Sequence, residues 1–183
     1  MKRALVFWFT GLSGAGKTTV ALEAKRRLEN DGYSVVVFDG DDIRSRFHRS
    51  LGFSEAEIKE NNMKIAELCR AHRGGADVIL VPIISPYRRS RQDAKDRLEG
   101  DYFEIYFDAD LECVMKRDTK NLYAKAARGE LSGLIGFSPE AVYEAPDSPD
   151  FIVRSGTQTI NESVSSLVGF IQGCLRSRKD GSL

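Results

Sequence analysis

The sequence predicts an α/β fold with a mainly parallel sheet, and three observations carry that prediction. Short apolar runs rich in Val, Ile, Phe and Tyr alternate with longer charged stretches of helical character. One run, residues 78–84 (VILVPII), is nearly continuous rather than alternating, as expected of a strand covered on both faces. The chain, at 183 residues, is long enough to bury a real core in one domain, taken as residues 1–183.

The elements follow in order. Residues 4–10 are the first expected strand, with Trp8 in its core. A helix over 18–30 stops at Asp31-Gly32, a good termination signal. Residues 34–38 are the second strand. Ser54 is a plausible N-cap for a helix over 55–73, which ends at Gly74-Gly75. The strand over 78–84 leads to a helix over 88–98, whose start at Arg88-Arg89-Ser90-Arg91 reads as a solvated face. A strand over 103–107 and a helix over 110–117 come next. Residues 119–149 are the least regular stretch, mixing basic residues with three glycines and three prolines. A long insert of this kind in a compact domain is usually functional, often a lid, although an ordinary surface loop or a plain amphipathic helix over 124–128 fits its composition too. A short strand over 151–153 and a helix over 160–176 close the fold. That last helix carries Ile160, Val164, Leu167, Val168 and Ile171 on one face. Strands alternating with helices imply right-handed crossovers in a doubly wound sheet.

Bulk properties exclude several classes. Lys plus Arg equals Asp plus Glu, 27 each, so no general attraction to nucleic acid or an anionic membrane is expected. No segment approaches the apolar length of a transmembrane helix. The apolar run after Lys2-Arg3 is too short for a signal peptide and runs directly into a glycine-rich loop. Cys69, Cys113 and Cys174 have neither zinc-ligand nor disulfide-framework spacing, which points to a reducing compartment and a cytoplasmic location. His48 and His72 have no nucleophile or metal-ligand partner at a telling spacing.

Residues 11–18, GLSGAGKT, fit the phosphate-loop pattern GxxxxGK[ST] in full, between an expected strand and an expected helix. Gly11, Ser13, Gly14, Ala15, Gly16, Lys17, Thr18 and Thr19 are the candidate nucleotide-binding residues. Glycines let the backbone turn successive N–H groups toward phosphate oxygens, and the following helix adds its positive end. Lys17 is suited to reach the β- and γ-phosphates and the Thr18 hydroxyl to ligate Mg²⁺. The expected architecture is therefore a three-layer P-loop NTPase fold with a lid insertion, using ATP and Mg²⁺. The chain has no Asn-Lys-x-Asp guanine-reading segment and no acidic pair closing its central strand, so a GTPase switch or motor ATPase is not indicated. A kinase for a small molecule is the simplest reading.

The second strand runs into Asp39-Gly40-Asp41-Asp42-Ile43-Arg44. Carboxylates at the C-terminal end of a strand beside the phosphate loop stand where ligands bind in such sheets. Asp39 and Asp41 can position or deprotonate an acceptor hydroxyl, and Asp39 joins Thr18 as a candidate metal ligand. Arg44 can hold an anionic group by a forked bond. The structural alternative is a turn in which one Asp caps a short helix at Ile43.

Taken together, GLSGAGKTT, DGDDIR, LGFSEAE, Asn61 with Ile65-Ala66-Glu67, ISPYR, RDTKNLYAKA and YEAP resemble the adenylylsulfate (APS) kinase family, through to about residue 149. Its members phosphorylate the ribose 3′-hydroxyl of APS with MgATP to give PAPS. The resemblance implies Asp39 and Asp41 at the acceptor hydroxyl and metal, and Arg44 on the phosphosulfate. It implies Asn61, Ile84 and Ser85 as acceptor contacts, Lys120 as the lid lysine that reaches the acceptor, and Arg117 beside the ATP adenine. Phe53 corresponds to an aromatic stacking on the acceptor base; such stacking contributes on the order of 1–3 kcal/mol. Ser85 matches a serine that is phosphorylated in some members, a role not carried over. Such enzymes are usually homodimers.

The departures from that pattern cluster on the acceptor side. Ile58 stands where the family usually has Arg, Met63 and Lys64 replace paired arginines, and Val81-Pro82 replaces Thr-Ser. Leu134 takes the place of the lid's second stacking Phe, and Asn121 that of a Gly. Lost arginines weaken a grip on phosphosulfate, and a lost Phe loosens the hold on a base. Two enzymes are compatible with this. One is a divergent APS kinase with Lys59, Lys64, Arg88 or Arg89 compensating. The other is a relative with a changed acceptor, such as cytidine diphosphoramidate in capsule modification. A non-catalytic nucleotide-binding regulator is the third reading; intact Lys17, Thr18, Asp39, Asp41 and Arg44 speak against it.

Overall fold

The computed structural model describes residues 3–47 and 54–180, with 45–47 described by backbone alone. Five strands form one parallel sheet in the order β2-β3-β1-β4-β5: β1 Leu5–Thr10, β2 Val35–Val37, β3 Val78–Pro82, β4 Tyr102–Phe107 and β5 Phe151–Val153. The central strand β1 is buried along its whole length. Leu5, Phe7 and Phe9 face one apolar cluster while Val6 and Trp8 face the other, the period-2 consequence of lying between two helical layers.

The helices divide accordingly. Helix α1, Lys17–Asn30, contributes Val20, Ala21, Ala24 and Leu28 to the first cluster. The last helix, α7, Ile160–Lys179, adds Val164, Leu167, Ile171 and Leu175 to the same side. Helices α3, Glu55–His72, and α4, Arg88–Leu98, supply Ile65, Ala66, Cys69, Ala94 and Leu98 to the opposite cluster. The short α2, Gly40–Phe47, joins them through Ile43. Capping boxes start both long helices, Ser54 with Glu57 on α3 and Thr159 with Glu162 on α7. No described helix is long and apolar enough to cross a membrane.

Several expected boundaries shift for identifiable reasons. The strand expected over 78–84 stops at Pro82. Proline offers no N–H to continue a ladder, and the Ile83 N–H turns back to the Val81 carbonyl at 3.1 Å. The strand expected over 34–38 is shorter, because Ser34 is held by the Asp77 carboxylate through both its N–H and its hydroxyl. α5 spans Leu111–Arg117, capped by Asp110. The insert holds a helix, α6, Leu122–Ala127, that begins two residues before the one considered from composition. The Asp118 carboxylate starts it by accepting from the Tyr123 and Ala124 N–H groups at 3.1 and 2.9 Å.

Candidate active site

The parallel sheet delivers the loops after β1, β2 and β3 to one edge. The loop after β1 is the glycine-rich segment. At Gly11, with φ +148°, a Cβ would stand 2.8 Å from the Phe107 carbonyl oxygen, so only glycine lets the loop leave β1 this close to β4. Gly16, with φ +88°, is the residue from which α1 starts. Lys17 is buried, and its Nζ donates to the carbonyl oxygens of Gly11 at 2.8 Å and Leu12 at 2.7 Å. Burial, and secondarily the Lys120 charge, lower its pKa to about 7; Asp41 and Asp39 oppose the shift.

Asp39 stands at the junction of two elements. Its Oδ1 accepts from the N–H groups of Asp41 at 2.9 Å and Asp42 at 3.4 Å, capping α2. Its Oδ2 accepts from the Thr18 hydroxyl at 2.7 Å. The helix therefore begins at Gly40 rather than at Ile43, and the capping residue is the same carboxylate that meets the phosphate loop. Two oxygens bound side by side on an octahedral Mg²⁺ stand about 2.9 Å apart, so the Thr18–Asp39 spacing fits adjacent ligand positions. Among the described residues no group of three or more His, Cys, Asp or Glu forms a metal cluster. A P-loop metal needs none, because phosphates and waters complete its shell. On α2, Asp41 and Arg44 are three residues apart and share a face. Burial lowers the pKa of Arg44, opposed by the Glu57 and Asp41 charges.

The insert closes over this edge. Lys120 forms an ion pair with Asp41. The Tyr123 hydroxyl on α6 donates to the Ser13 carbonyl at 2.9 Å, and its ring meets Phe137 edge to face. Leu134 is buried in the first apolar cluster together with Leu12. Arg117 is exposed and donates to the Ser155 carbonyl at 2.6 Å, bridging α5 to the turn after β5.

Beyond β3 the chain makes a tight turn tied to β1 and the start of the phosphate loop. The Ile84 carbonyl accepts from Gly11 N–H at 3.3 Å and from the Thr10 hydroxyl at 2.9 Å. Ser85 is buried in a left-handed conformation, φ +43°. Its Oγ accepts from Trp8 Nε1 at 3.1 Å and Asn62 Nδ2 at 2.8 Å. Asn61 is buried on α3. Phe53 and His48 lie outside the described residues.

The family model for adenylylsulphate kinase matches residues 3–154. The chain belongs to the adenylylsulphate kinase family. It is 39% identical over 171 residues to the adenylyl-sulfate kinase of Halothermothrix orenii, covering 93% of this chain and 91% of that one. Among solved structures it is similar to the Mycobacterium tuberculosis APS kinase in complex with AMPPNP and APS, with a TM-score of 0.88, 32% identity, and coverage of 94% and 99%. A gluconokinase from Sinorhizobium meliloti, 13% identical with a TM-score of 0.66, shares the fold. This member is accordingly a P-loop kinase, a phosphotransferase with a hydroxyl acceptor.

The positions read in the sequence as departures from the adenylylsulphate kinase pattern acquire surroundings. Ile58 is buried against Ile135 and Ala141 of the insert, with Ile84, Tyr87 and Tyr143 around them. The basic residues considered as compensation have partners elsewhere. Lys59 pairs with Glu55 and lies 5.7 Å over the Tyr87 ring; Lys64 pairs with Glu60 at 2.7 Å. Arg88 donates to the Ala145 carbonyl and pairs with Asp147, and Arg89 pairs with Asp93.

One expectation is overturned. The start of α4 is not a solvated face throughout, because Ser90 and Arg91 are buried. Arg91 donates from Nη1 to the Ser85 carbonyl and from Nη2 to the Glu144 carbonyl, both at 2.8 Å, and pairs with Glu104 on β4. Asn62, beside the singled-out Asn61, also donates to Ser90 Oγ at 2.7 Å. A signal for Arg91 was present: Ala94 and Leu98 lie three and seven residues on, which puts all three on one helical face.

Proposed function

We propose that this kinase transfers the γ-phosphoryl group of ATP to the ribose 3′-hydroxyl of APS, giving PAPS for sulfate activation. The observation that carries the reading is the two-sided Asp39 carboxylate, bonded at once to the Thr18 hydroxyl of the phosphate loop and to the start of α2. In this reading Lys17 and the loop N–H groups hold the β- and γ-phosphates in line with the acceptor oxygen. Thr18 and Asp39 would hold Mg²⁺, which when bound neutralises charge on those phosphates. The acidic pair Asp39 and Asp41 orients the acceptor hydroxyl and receives its proton as the oxygen–phosphorus bond forms. Arg44, Phe53, Asn61, Ile84, Ser85, Lys120 and Leu134 line the acceptor, and Arg117 flanks the adenine of ATP. The insert over 119–149 acts as a lid on one kinase domain, and the enzyme works in the cytoplasm as a homodimer.

A second reading rests on Ile58. Burial of an aliphatic side chain where the family usually carries an arginine favours a less anionic acceptor, such as cytidine diphosphoramidate. ADP release from MgATP, measured with each compound, decides between them. Fast turnover with APS and PAPS as product supports the first reading. Silence with APS and turnover with the cytidine compound supports the second. Silence with both, with nucleotide still bound, would leave a nucleotide-binding regulator.

A further inference from the structure

We propose that Arg91 is a positioning residue for the acceptor side, fixing the Ser85 turn against the return arm of the insert. The inference rests on the reading of that side as an acceptor site. One planar guanidinium, buried to 3% exposure, joins three separate stretches of chain: the turn after β3 through the Ser85 carbonyl, the insert's end through the Glu144 carbonyl, and β4 through Glu104. A fork with donors in fixed directions can do this, and a lysine ammonium cannot.

The neighbouring bonds show what is being held. A left-handed conformation at a residue with a Cβ persists only where its surroundings over-determine it. At Ser85 the Oγ is held by Trp8 and Asn62, and the carbonyl by Arg91 and by Thr10 at 3.1 Å. The return arm runs alongside. Glu144 N–H donates to the Pro86 carbonyl at 2.9 Å, and the Glu144 carboxylate accepts from Arg88 N–H at 2.6 Å. The Thr10 proton is directed at the Ile84 or Ser85 carbonyl, so the Tyr143 hydroxyl donates to Thr10 at 2.8 Å. The residues carried on these two strips, Ile84 and Tyr87 on one and Tyr143 on the other, surround the Ile58–Ile135–Ala141 contact. Arg91 thus sets the spacing of a wall it does not itself form, and its bonds do not reach the phosphate loop.

The test uses the full chain with Arg91→Lys and Glu104→Gln. Steady-state kinetics are measured with APS and ATP varied in turn, together with amide hydrogen exchange. Losing one buried charged hydrogen bond should raise the acceptor KM about tenfold in Arg91→Lys, with the KM for ATP and the Kd for MgADP within about twofold of the parent. Glu104→Gln, which preserves shape and leaves the fork in place, should raise the acceptor KM by less. Exchange should quicken in residues 84–88 and 141–147, with the Gly11 N–H following the turn through its bond to the Ile84 carbonyl, and stay unchanged in 12–18. An unaltered acceptor KM, or equal rises in both KM values, overturns the proposal. If Arg91→Lys fails to fold, Glu104→Gln is read by the same criteria. If the parent protein ignores APS, that counts against the acceptor reading alone, and exchange decides the matter: quickening confined to the two strips and the Gly11 N–H supports the role of Arg91, and its absence overturns it.

Discussion

The two sides of the cleft are built by different means. The nucleotide side is one continuous loop, residues 11–18, shaped by its own glycines and backbone and flanked by the buried strand β1 and helix α1. The proposed acceptor side comprises α2, α3, the turn after β3 and the insert, and side chains such as Arg91, Asn62, Tyr143 and Ile58 hold these segments together. A surface made by backbone tolerates little change. One made by side chains can be re-specified residue by residue, and the departures read from the sequence fall on that proposed acceptor side.

The largest effect expected is from Lys17→Ala. It should abolish transfer, a loss of about a thousandfold or more in acceptor-dependent ADP release. Near-normal turnover would break the assignment of the nucleotide side. Asp39→Asn should cost about a hundredfold in kcat while the fold stays intact, since Asn caps a helix about as well as Asp. A matching collapse in thermal stability would mean that Asp39 is chiefly a cap.

The pH dependence sharpens the nucleotide side further. Free of phosphates, Lys17 has a pKa lowered to about 7 by burial. Bound phosphates favour its charged form and raise that value, so binding takes up a proton. The Kd for ATP should therefore rise with pH above about 7, by at most about tenfold per pH unit, and calorimetry in buffers of different ionisation enthalpy should register the uptake. A flat profile from about pH 6 to about pH 9 would break this account.

Smaller effects belong to the acceptor side and the scaffold. Ile58→Ala should cost about 2 kcal/mol in denaturant unfolding and raise the acceptor KM several-fold, leaving the KM for ATP alone. A change in the KM for ATP instead would show that the two sides are not separable. Thr159→Ala, remote from the cleft, should remove about 1 kcal/mol through the α7 capping box and leave both KM values unchanged.

Legibility from sequence follows the same division. The phosphate loop could be read whole because all its determinants are consecutive, and continuous apolarity over 78–84 marked β3 as buried on both faces. Asp39 and Asp41 stand out in the sequence because the strand before them is short and clear, and the structure sets Asp39 against Thr18 and Asp41 against Lys120. What sequence missed is what tertiary contacts decide. Pro82 ends β3 two residues early although the apolar run continues. Asp118 starts α6 inside a stretch that reads as irregular. Arg91 reads as solvent-facing because its charge hides its place on the Ala94–Leu98 face, and its counter-charge is 13 residues away on another element. Asn61 stands out in the sequence, while it is the neighbouring Asn62 that donates to the Ser85 and Ser90 hydroxyls.

The chain contains one tryptophan. Trp8 is fully buried in β1, and its indole N–H is bonded to the Ser85 hydroxyl. With excitation to the red of the tyrosine band, emission therefore comes from a single indole wired to the turn after β3. Any event that rearranges that turn alters the polarity and hydrogen bonding of the indole, so emission colour and lifetime give an optical readout of the acceptor wall in unlabelled protein. Nucleotide binding that leaves the turn in place should be nearly silent in the same signal, which gives stopped-flow work a way to time the two substrates separately.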